Sequence, residues 1–422
     1  MAGFVAKNGV LHCDDVDLRA IARDVGTPAY VYSAVHMRAQ YDALAGALEK
    51  ALPADRQPML CYACKANSNL AVLKVLKAQG AGLEIVSEGE LRRGLAAGFG
   101  PSQIVSTGVG KQDSEIKACL EAGIHQFNVE SMPELENIQR IAAEIDIAAD
   151  VVFRLNPDVS GGGHDKISTG RARDKFGLSD ARIYDAFGTA KEMSHVNALG
   201  LSMHIGSQVS QVEVFKDAFE KLSGVVAHLR DSGFSIERLD IGGGFPIIYD
   251  NEDLLDYEAY AAWVRDIIMP LDCEMIMEPG RYLVGNAGGL LTEVLYIKET
   301  SERDFLVIDA AMNDLIRPTL YDAYHGIEVV ENRDRAHKTY DVVGPICETG
   351  DTFSQGRTLP AMEHGDLALI QSAGAYGFCM ASNYNTRGMP AEVLVDGDQF
   401  VIIRQRQDVE DIIAQDIIPD WL

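Results

Sequence analysis

Short runs of β-branched and aromatic residues alternate with amphipathic segments of helical period along residues 59–278. Strands separated by helical segments predict βα units and a parallel sheet. The predicted strands begin near Met59, Leu83, Ile104, Gln126, Asp150, Ala198, Arg238 and Cys273. The predicted helices cover residues 70–77, 90–97, 116–122, 133–143, 212–229 and 257–268. Eight strands in this rhythm favour a closed (β/α)₈ barrel over an open sheet.

The pattern changes after Arg281, where β-rich segments with turns between them show little helical period. Such segments predict an antiparallel β domain. Residues 4–13 contain an Asn8-Gly9 dipeptide, typical of a hairpin turn, and we expect this hairpin to pair with the same domain. The predicted fold is therefore α/β plus β. A TIM-type barrel occupies residues 29–281, and a β-sandwich or β-barrel domain combines residues 1–28 with 282–422.

The composition is that of a globular protein with a strong negative charge. The 422 residues are enough for one large and one smaller domain, and 47% of them are hydrophobic. Lys and Arg total 37 against 63 Asp and Glu, which makes the formal net charge −26. This charge repels phosphate backbones and anionic lipids, so nucleic acid and membranes are poor partners.

The cysteines indicate a reducing compartment. They number seven and are scattered over the chain, which is not a disulfide framework. The N-terminus shows no signal peptide and no apolar run approaches the length of a membrane span, so we expect a cytoplasmic protein. Cys61 and Cys64 form a C-x-x-C, but on a strand they would point to opposite faces. We predict no redox pair and no metal site.

Polar residues follow several predicted strands, and catalytic groups of a (β/α)₈ barrel gather at those strand ends. They are Lys65, Ser87, Asn156, His204, Gly242–Gly244 and Glu278. Burial would favour the neutral amine of Lys65, the nucleophile that forms Schiff bases. The alternative interpretation is structural: Lys65 extends past the barrel rim to solvent and has no catalytic role.

The other strand-end residues suit a flat, anionic ligand. Gly242–Gly244 would let backbone amides approach an anion. A carboxylate at Glu278 would keep a pyridine nitrogen protonated, and His204 would stack on a ring. Taken singly, each also has a structural interpretation: a turn, a buried acid paired with Arg281, and a hydrogen-bonded core histidine.

Successive motifs resemble those of the fold-type III pyridoxal-phosphate-dependent decarboxylases. They are YACKAN around Lys65, HIGSQ at 204–208, LDIGGGFP at 239–246, EPGR at 278–281 and GPICETGD at 344–351. The stretches 164–178, 313–325 and 373–385 resemble the diaminopimelate decarboxylases within that family. The resemblance covers nearly the whole chain in the expected order.

The resemblance implies a role for each matching residue. Lys65 would bind pyridoxal 5'-phosphate through its amine, with His204 stacked on the ring and Glu278 at the ring nitrogen. The residues implied at the phosphate are Ser207, Gly242, Gly243, Gly244, Gly280 and Arg281. Arg281, Arg317 and Tyr321 would bind the substrate carboxylate. The second subunit of a homodimer would contribute Cys347 as proton donor, Glu348 as reader of the distal amino group, and Tyr376 at cofactor and substrate.

The implied activity is decarboxylation of meso-2,6-diaminopimelate to L-lysine and carbon dioxide, the last step of lysine biosynthesis. This substrate carries both a carboxylate and an amine at its distal carbon, a combination that Arg281, Arg317 and Glu348 suit. The alternative is an ornithine, lysine, arginine or carboxynorspermidine decarboxylase of the same fold, which needs chiefly the acid. An alanine racemase does not carry the GPICETGD motif, and a single-barrel cofactor carrier lacks the β domain.

The sequence departs from the family at two positions of the segment GLEIVSEGEL. Glu84 and Glu88 stand where the family more often has Asp and Gly. We expect both near the barrel mouth, where they change the local loop geometry without removing any assigned chemistry.

Overall fold

The computed structural model describes residues 3–159 and 175–422. Most of the 164–178 motif lies outside these residues. The chain divides into two compact units. The sheet unit comprises Met1–Arg38, Ile248–Glu252 and Val284–Leu422, and the barrel unit comprises Ala39–Ile247 and Asp253–Leu283. Within the described ranges, we find no helix with the length and apolar character needed to cross a bilayer.

The N-terminal residues form the predicted hairpin. The first elements are β1 (Phe4–Lys7), β2 (Val10–Cys13), β3 (Val16–Asp17), α1 (Leu18–Val25), β4 (Ala29–Ser33) and α2 (Ala34–Ala51). Strands β1 and β2 pair antiparallel, and Asn8 and Gly9 take φ values of 53° and 80°, as a tight hairpin turn requires. The amide of Leu11 donates to the carbonyl of Val330 at 2.7 Å. The hairpin therefore pairs with the C-terminal part of the sheet unit, which confirms the prediction.

Eight parallel strands form the closed barrel that the sequence predicts. They are β5 (Met59–Ala63), β6 (Gly82–Ile85), β7 (Ile104–Ser106), β8 (Gln126–Val129), β9 (Ala149–Leu155), β10 (Val196–Met203), β11 (Arg238–Asp240) and β12 (Glu274–Met277). The strands follow one another in chain order, and the barrel closes where Ile276 pairs with Met59. Inside it, Cys61, Val105 and Ile276 form a fully buried cluster.

Six of the seven barrel helices follow the predicted segments with boundary shifts of a few residues, and the helix Asp180–Lys191 was not predicted. They are α3 (Leu70–Ala78), α4 (Glu88–Ala97), α5 (Asp113–Ala122), α6 (Met132–Ile145), α7 (Asp180–Lys191), α8 (Val212–Asp231) and α9 (Tyr257–Trp263). Local chemistry sets their ends. The Ser87 and Ser131 side chains cap α4 and α6, and Gly98 and Gly123 end α4 and α5 in the left-handed conformation.

The C-terminal part of the sheet unit is a mixed sheet rather than the purely antiparallel domain predicted. Its elements are α10 (Arg281–Val284, shared with the barrel unit), β13 (Gly288–Glu299), β14 (Asp304–Ile308), α11 (Arg317–Tyr321), β15 (Ile327–Val329), β16 (His337–Val343), β17 (Thr352–Pro360), β18 (Leu367–Ile370), β19 (Ala391–Asp396), β20 (Gln399–Arg404) and α12 (Val409–Ile413). Most pairs are antiparallel, but β14 pairs parallel with β16, and β19 pairs parallel with β4.

Strand β4 also pairs antiparallel with β13, so it lies inside the mixed sheet. The boundary predicted at residue 29 had assigned this strand to the barrel. The sequence pattern identifies the strand but not its partner, because a fully buried apolar strand suits either sheet. Its Val31 packs in an apolar cluster of the sheet unit with Leu291, Leu369 and Val393.

Candidate active site

Lys65 lies at the carboxyl end of β5, on the short 3-10 turn Cys64–Ala66. Its Nζ is 3.0 Å from each carboxylate oxygen of Glu84, on the neighbouring strand β6. Glu84 is fully buried, whereas the Lys65 side chain is 38% exposed. Glu84, to which the sequence assigned no chemistry, is therefore the acidic partner of Lys65.

Buried polar side chains surround Glu278 at the end of β12. Thr107 Oγ1 and Asn128 Nδ2 each donate to Glu278 Oε1 at 3.1 Å. Asn128 Nδ2 also donates to Asp240 Oδ2 at 2.8 Å. Glu278 was predicted from the sequence, whereas Thr107, Asn128 and Asp240 were not. Their strands end at the same rim of the barrel, which was the one available signal.

Asp240 and Glu278 are hydrogen-bonded to each other. Two carboxyl groups can form such a bond only when one of them holds a proton. Burial, and then the Asp240 charge, raises the pKa of Glu278 well above its usual range. Burial also raises the pKa of Asp240. Burial at the end of β12 therefore favours the protonated form of both carboxyl groups.

His204 follows β10 and is held by the glycine run. The amide of Gly243 donates to His204 Nδ1 at 3.2 Å, so that nitrogen carries no proton. Desolvation, followed by the positive charges of Arg154 and Lys65, lowers the pKa of His204 well below its usual range. The side chain is a neutral, flat imidazole of the kind that packs on an aromatic ring.

The glycine run after β11 allows backbone segments to approach closely. A Cβ atom would lie 2.3 Å from the Met203 carbonyl oxygen at position 242, and 2.1 Å from the Glu278 carbonyl oxygen at position 243. Gly242 also has a φ of +70°. Its amide donates to Asp240 Oδ1 at 2.9 Å. The amides of Gly242 and Gly243 are thus used within the protein, where they position Asp240 and His204.

Arg281 and Ser207 form a polar corner of the barrel unit. Arg281 is buried, and its Nε and Nη2 each lie 3.3 Å from Ser207 Oγ. At Gly280 a Cβ atom would lie 2.9 Å from the Cβ of Ala63, so glycine lets the EPGR segment pack on β5. A buried guanidinium beside a hydroxyl is a donor set for an anion.

In the sheet unit, the structure brings together Arg317 and Tyr321 on α11. Arg317 is buried, and its guanidinium carbon lies 5.6 Å from the centre of the Tyr321 ring. It also lies 5.2 Å from the ring of Tyr249, a residue that sequence analysis missed. Two aromatic faces fix the orientation of the guanidinium through cation–π contacts.

The loop 344–351 carries Cys347 and Glu348, both of which are exposed in the single chain. Buried Asp351 braces this loop, because its two carboxylate oxygens accept the amides of Ile346 and Met312 at 2.7 Å each. The Cys347 amide donates to Asn385 Oδ1 at 3.1 Å.

In the same unit, the hydroxyl of Tyr384 donates a hydrogen bond to the Glu348 carboxylate. Tyr376 is half-buried and has a φ of +54°, which a tyrosine rarely adopts.

Two strand-end candidates have local structural roles. Ser87 caps α4 by accepting the Glu90 amide at 3.2 Å, and Asn156 Nδ2 donates to the Phe176 carbonyl at 3.0 Å. Cys61 and Cys64 are both buried free thiols. No group of His, Cys, Asp and Glu suited to a metal ion occurs in the part of the chain that the structure describes.

Comparisons with known proteins agree with this geometry. Residues 38–285 match the family described as "Pyridoxal-dependent decarboxylase, pyridoxal binding domain". The chain is 47% identical over 414 residues to the diaminopimelate decarboxylase of Pseudomonas aeruginosa, covering 98% of both chains. It is 45% identical to that of Neisseria meningitidis serogroup A, covering 96% of this chain and 99% of the relative. The solved diaminopimelate decarboxylase of M. jannaschii in co-complex with L-lysine superposes with a TM-score of 0.94 at 36% identity, covering 100% of this chain and 99% of the other.

Proposed function

Because the chain belongs to the diaminopimelate decarboxylases of the pyridoxal-dependent decarboxylase family, we propose a specific role for each residue of the site described above. The reaction is decarboxylation of meso-2,6-diaminopimelate to L-lysine and carbon dioxide, the last step of lysine biosynthesis. Bound pyridoxal phosphate supplies a protonated ring that accepts the electrons left when carbon dioxide departs. The chain's own residues supply binding, orientation and charge placement.

Lys65 would bind the cofactor covalently through Nζ, and Glu278 would hold its ring nitrogen. The observation that carries the proposal is that one barrel rim holds both an amine with its own acidic partner and a buried carboxyl pair bridged by Asn128. These are the two groups that a pyridine-4-carbaldehyde requires, one at each end of its ring. The neutral imidazole of His204 suits stacking on that ring.

The phosphate is assigned to the polar corner and the glycine segments. Arg281 supplies the cation and Ser207 a hydroxyl, with backbone from Gly242, Gly243, Gly244 and Gly280 around them. The amide of Gly243 is engaged by His204, and that of Gly242 by Asp240. We therefore expect Gly244, Gly280, Ser207 and Arg281 to make the direct contacts, and the first two glycines to shape the surface.

The distal end of the substrate is assigned to Arg317, Tyr321 and Arg281 for its carboxylate and to Glu348 for its amine. Ornithine and lysine, the substrates of the alternative decarboxylases, have no distal carboxylate, so their binding gains little from Arg317. Replacing Arg317 with Ala should raise KM for diaminopimelate by roughly 10²-fold, the loss of a buried charge-assisted contact. The cofactor's absorbance should be unchanged.

Arg357→Ala is the matched control for this experiment. Arg357 also stacks on a tyrosine of the sheet unit, 4.3 Å from the ring centre of Tyr324, and is not assigned to the site. It should keep the KM of the wild type. An Arg317→Ala enzyme with unchanged KM, or one that loses its cofactor, would remove Arg317 from the substrate site.

The homodimer with shared sites is the second part of the proposal. A carbanion must be shielded from water, and the loop 344–351 of the second subunit would supply both the cover and the proton donor Cys347. Support comes from the exposure of Cys347 and Glu348 on a loop that Asp351 holds through two hydrogen bonds. Glu348 and Tyr376 would enter the site from the same subunit.

Mixing two inactive chains tests the shared site. Lys65→Ala and Cys347→Ala chains are each expected to be nearly inactive. About half of the dimers formed by random reassortment are mixed, and each mixed dimer has one intact site. About a quarter of wild-type activity should therefore return after co-expression, with exchange verified by different affinity tags.

The control for this test mixes two differently tagged Lys65→Ala chains, which should remain inactive. If mixed dimers form and activity stays at the level of the parents, Cys347 acts within its own chain or takes no part. We also propose a cytoplasmic location, supported by the seven cysteines being free thiols.

A further inference from the structure

The buried contact between Asp240 and Glu278 points to a residue that the assigned roles leave out. We propose that Asp240 is a positioning residue whose carboxylate accepts a hydrogen bond from the protonated Glu278 carboxyl. It thereby keeps a proton where the cofactor's ring nitrogen binds. This inference rests on the role proposed for Glu278 and adds the group that controls its protonation.

The hydrogen bonds around the pair indicate which partner holds the proton. Asp240 accepts an N–H on each oxygen, from Gly242 at 2.9 Å and from Asn128 at 2.8 Å. Glu278 accepts longer bonds, from Asn128 and Thr107 at 3.1 Å each, both on Oε1. Donors stabilise a carboxylate in proportion to their number and closeness. Asp240 is therefore the carboxylate of the pair, and Glu278 is the acid.

Four other titratable side chains influence the Asp240–Glu278 pair or are influenced by it. Glu84 and Lys65 contact one another at 3.0 Å, and their charges act on the pKa of Glu278 in opposite directions. Burial raises the pKa of the Cys61 thiol and of the Tyr260 phenol well above their usual ranges, and the charge of Asp240 adds to both shifts. Both side chains stay neutral at physiological pH.

The proton transfer balances within the pair and the ring. With pyridoxal phosphate bound, Glu278 would hold the ring nitrogen and supply its proton: the O–H bond would break, an N–H bond would form, and Glu278 would be left as a carboxylate beside the Asp240 carboxylate. Two adjacent carboxylates repel each other, and a protonated ring relieves that repulsion. Deprotonating the ring then becomes harder. The negative charge of Asp240 beside Glu278 is expected to raise the pH at which the ring nitrogen titrates by about 1–2 pH units.

Nitrogen-15 NMR of the full-length holoenzyme measures this directly. Wild type, Asp240→Asn and a control would be reconstituted with pyridoxal phosphate labelled at the ring nitrogen, and its chemical shift followed from pH 7 to pH 10. In the wild type the ring should stay protonated throughout. In Asp240→Asn the ring should lose its proton within this range, because the negative charge of Asp240 beside Glu278 is gone.

Glu392→Gln is the control, because it also removes a fully buried carboxylate, but from the sheet unit. Glu392 accepts the hydroxyl of Tyr32 at 2.8 Å and pairs with Arg404. In the Glu392→Gln enzyme, the ring nitrogen of the cofactor should titrate as in the wild type. A shift shared by both variants would assign the effect to general loss of stability and would overturn the proposal.

A second variant, Asp240→Ser, removes the same charge with a smaller side chain and should shift the titration in the same direction. The proposal fails if Asp240→Asn and Asp240→Ser titrate with the wild type. It also fails if both lose the cofactor while Glu392→Gln keeps it, since Asp240 would then serve binding alone. Wild-type turnover of diaminopimelate is measured on the same samples. Its absence would refute the proposed function, whereas turnover without the titration shift would refute only the role of Asp240.

Discussion

Gly243→Ala is expected to damage the active site through one backbone collision. The alanine Cβ would lie 2.1 Å from the Glu278 carbonyl oxygen and 2.9 Å from its carbon. Gly243 does not have a left-handed φ, so the cost is steric and not conformational. Because the colliding atoms belong to backbone, no side-chain rotation can relieve the contact.

The structure sets the size of the effect. Relaxed contact between these atoms needs more than 3 Å, so the two segments must separate by about 1 Å. They are joined on either side, since the amide of Ile241 donates to Ile276 at 2.9 Å and that of Glu278 to Gly242 at 2.8 Å. Overpacking of this kind costs about 1–3 kcal/mol of unfolding free energy. A displacement of about 1 Å at a group that orients the cofactor should lower kcat/KM by roughly 10²-fold.

Carbon dioxide release gives kcat/KM, and urea unfolding gives the change in stability. Gly224→Ala is the matched control, because Gly224 lies within α8 and a Cβ there meets no atom within 4 Å. That variant should keep wild-type kinetics and gain about 0.5–1 kcal/mol. If Gly243→Ala has kcat/KM within about threefold of the wild type and unchanged stability, the close approach does not position Glu278.

Two further predictions concern Asp351 and Glu90. Asp351→Asn leaves at least one of two buried amides without its acceptor, which costs about 1–3 kcal/mol of unfolding free energy. Because the loop that carries Cys347 is then held less firmly, kcat should fall by about tenfold while the cofactor's absorbance stays unchanged. Loss of that absorbance would argue for a different role of Asp351. Burial and the Glu84 charge raise the pKa of Glu90 from 4.5 to about 7, so the folded chain binds an extra proton between these values and wild-type stability falls as pH rises through that window. Glu90→Gln should therefore gain about 1–3 kcal/mol over the wild type by pH 8 and little at pH 4.5, and a pH-independent difference in urea unfolding would contradict this.

The sequence predicted the barrel closely because its signals are local. The alternation of apolar strands with capped helices is set by nearest neighbours, as the Ser87 cap and the Gly98 terminus of α4 illustrate. The sheet unit was harder to predict. Strand β4 pairs with β13 and β19, far along the chain, and no local pattern specifies such a partner.

The site shows the same division. Strand ends identified Lys65, His204 and Glu278, because in a barrel they must meet at one rim. Of the partners that tune them, Glu84 was expected near the barrel mouth but without a chemical role, and Asp240 was missed. Their side chains act through contacts between neighbouring or opposite strands, and side-chain contacts of that kind are not visible in sequence spacing. The contact of the Tyr249 ring with Arg317 is likewise not visible in sequence spacing.

Substrate preference tests the central claim most directly. Purified wild-type protein with pyridoxal phosphate would be assayed for carbon dioxide release from meso-diaminopimelate, L-ornithine, L-lysine and L-arginine under identical conditions. A site that pairs buried charges at both ends of its substrate rejects analogues lacking one of them by roughly 10⁴-fold. We therefore expect turnover of meso-diaminopimelate, with the other three amino acids at background. Comparable turnover of L-ornithine or L-lysine would contradict the account and favour a diamine-forming decarboxylase of the same fold.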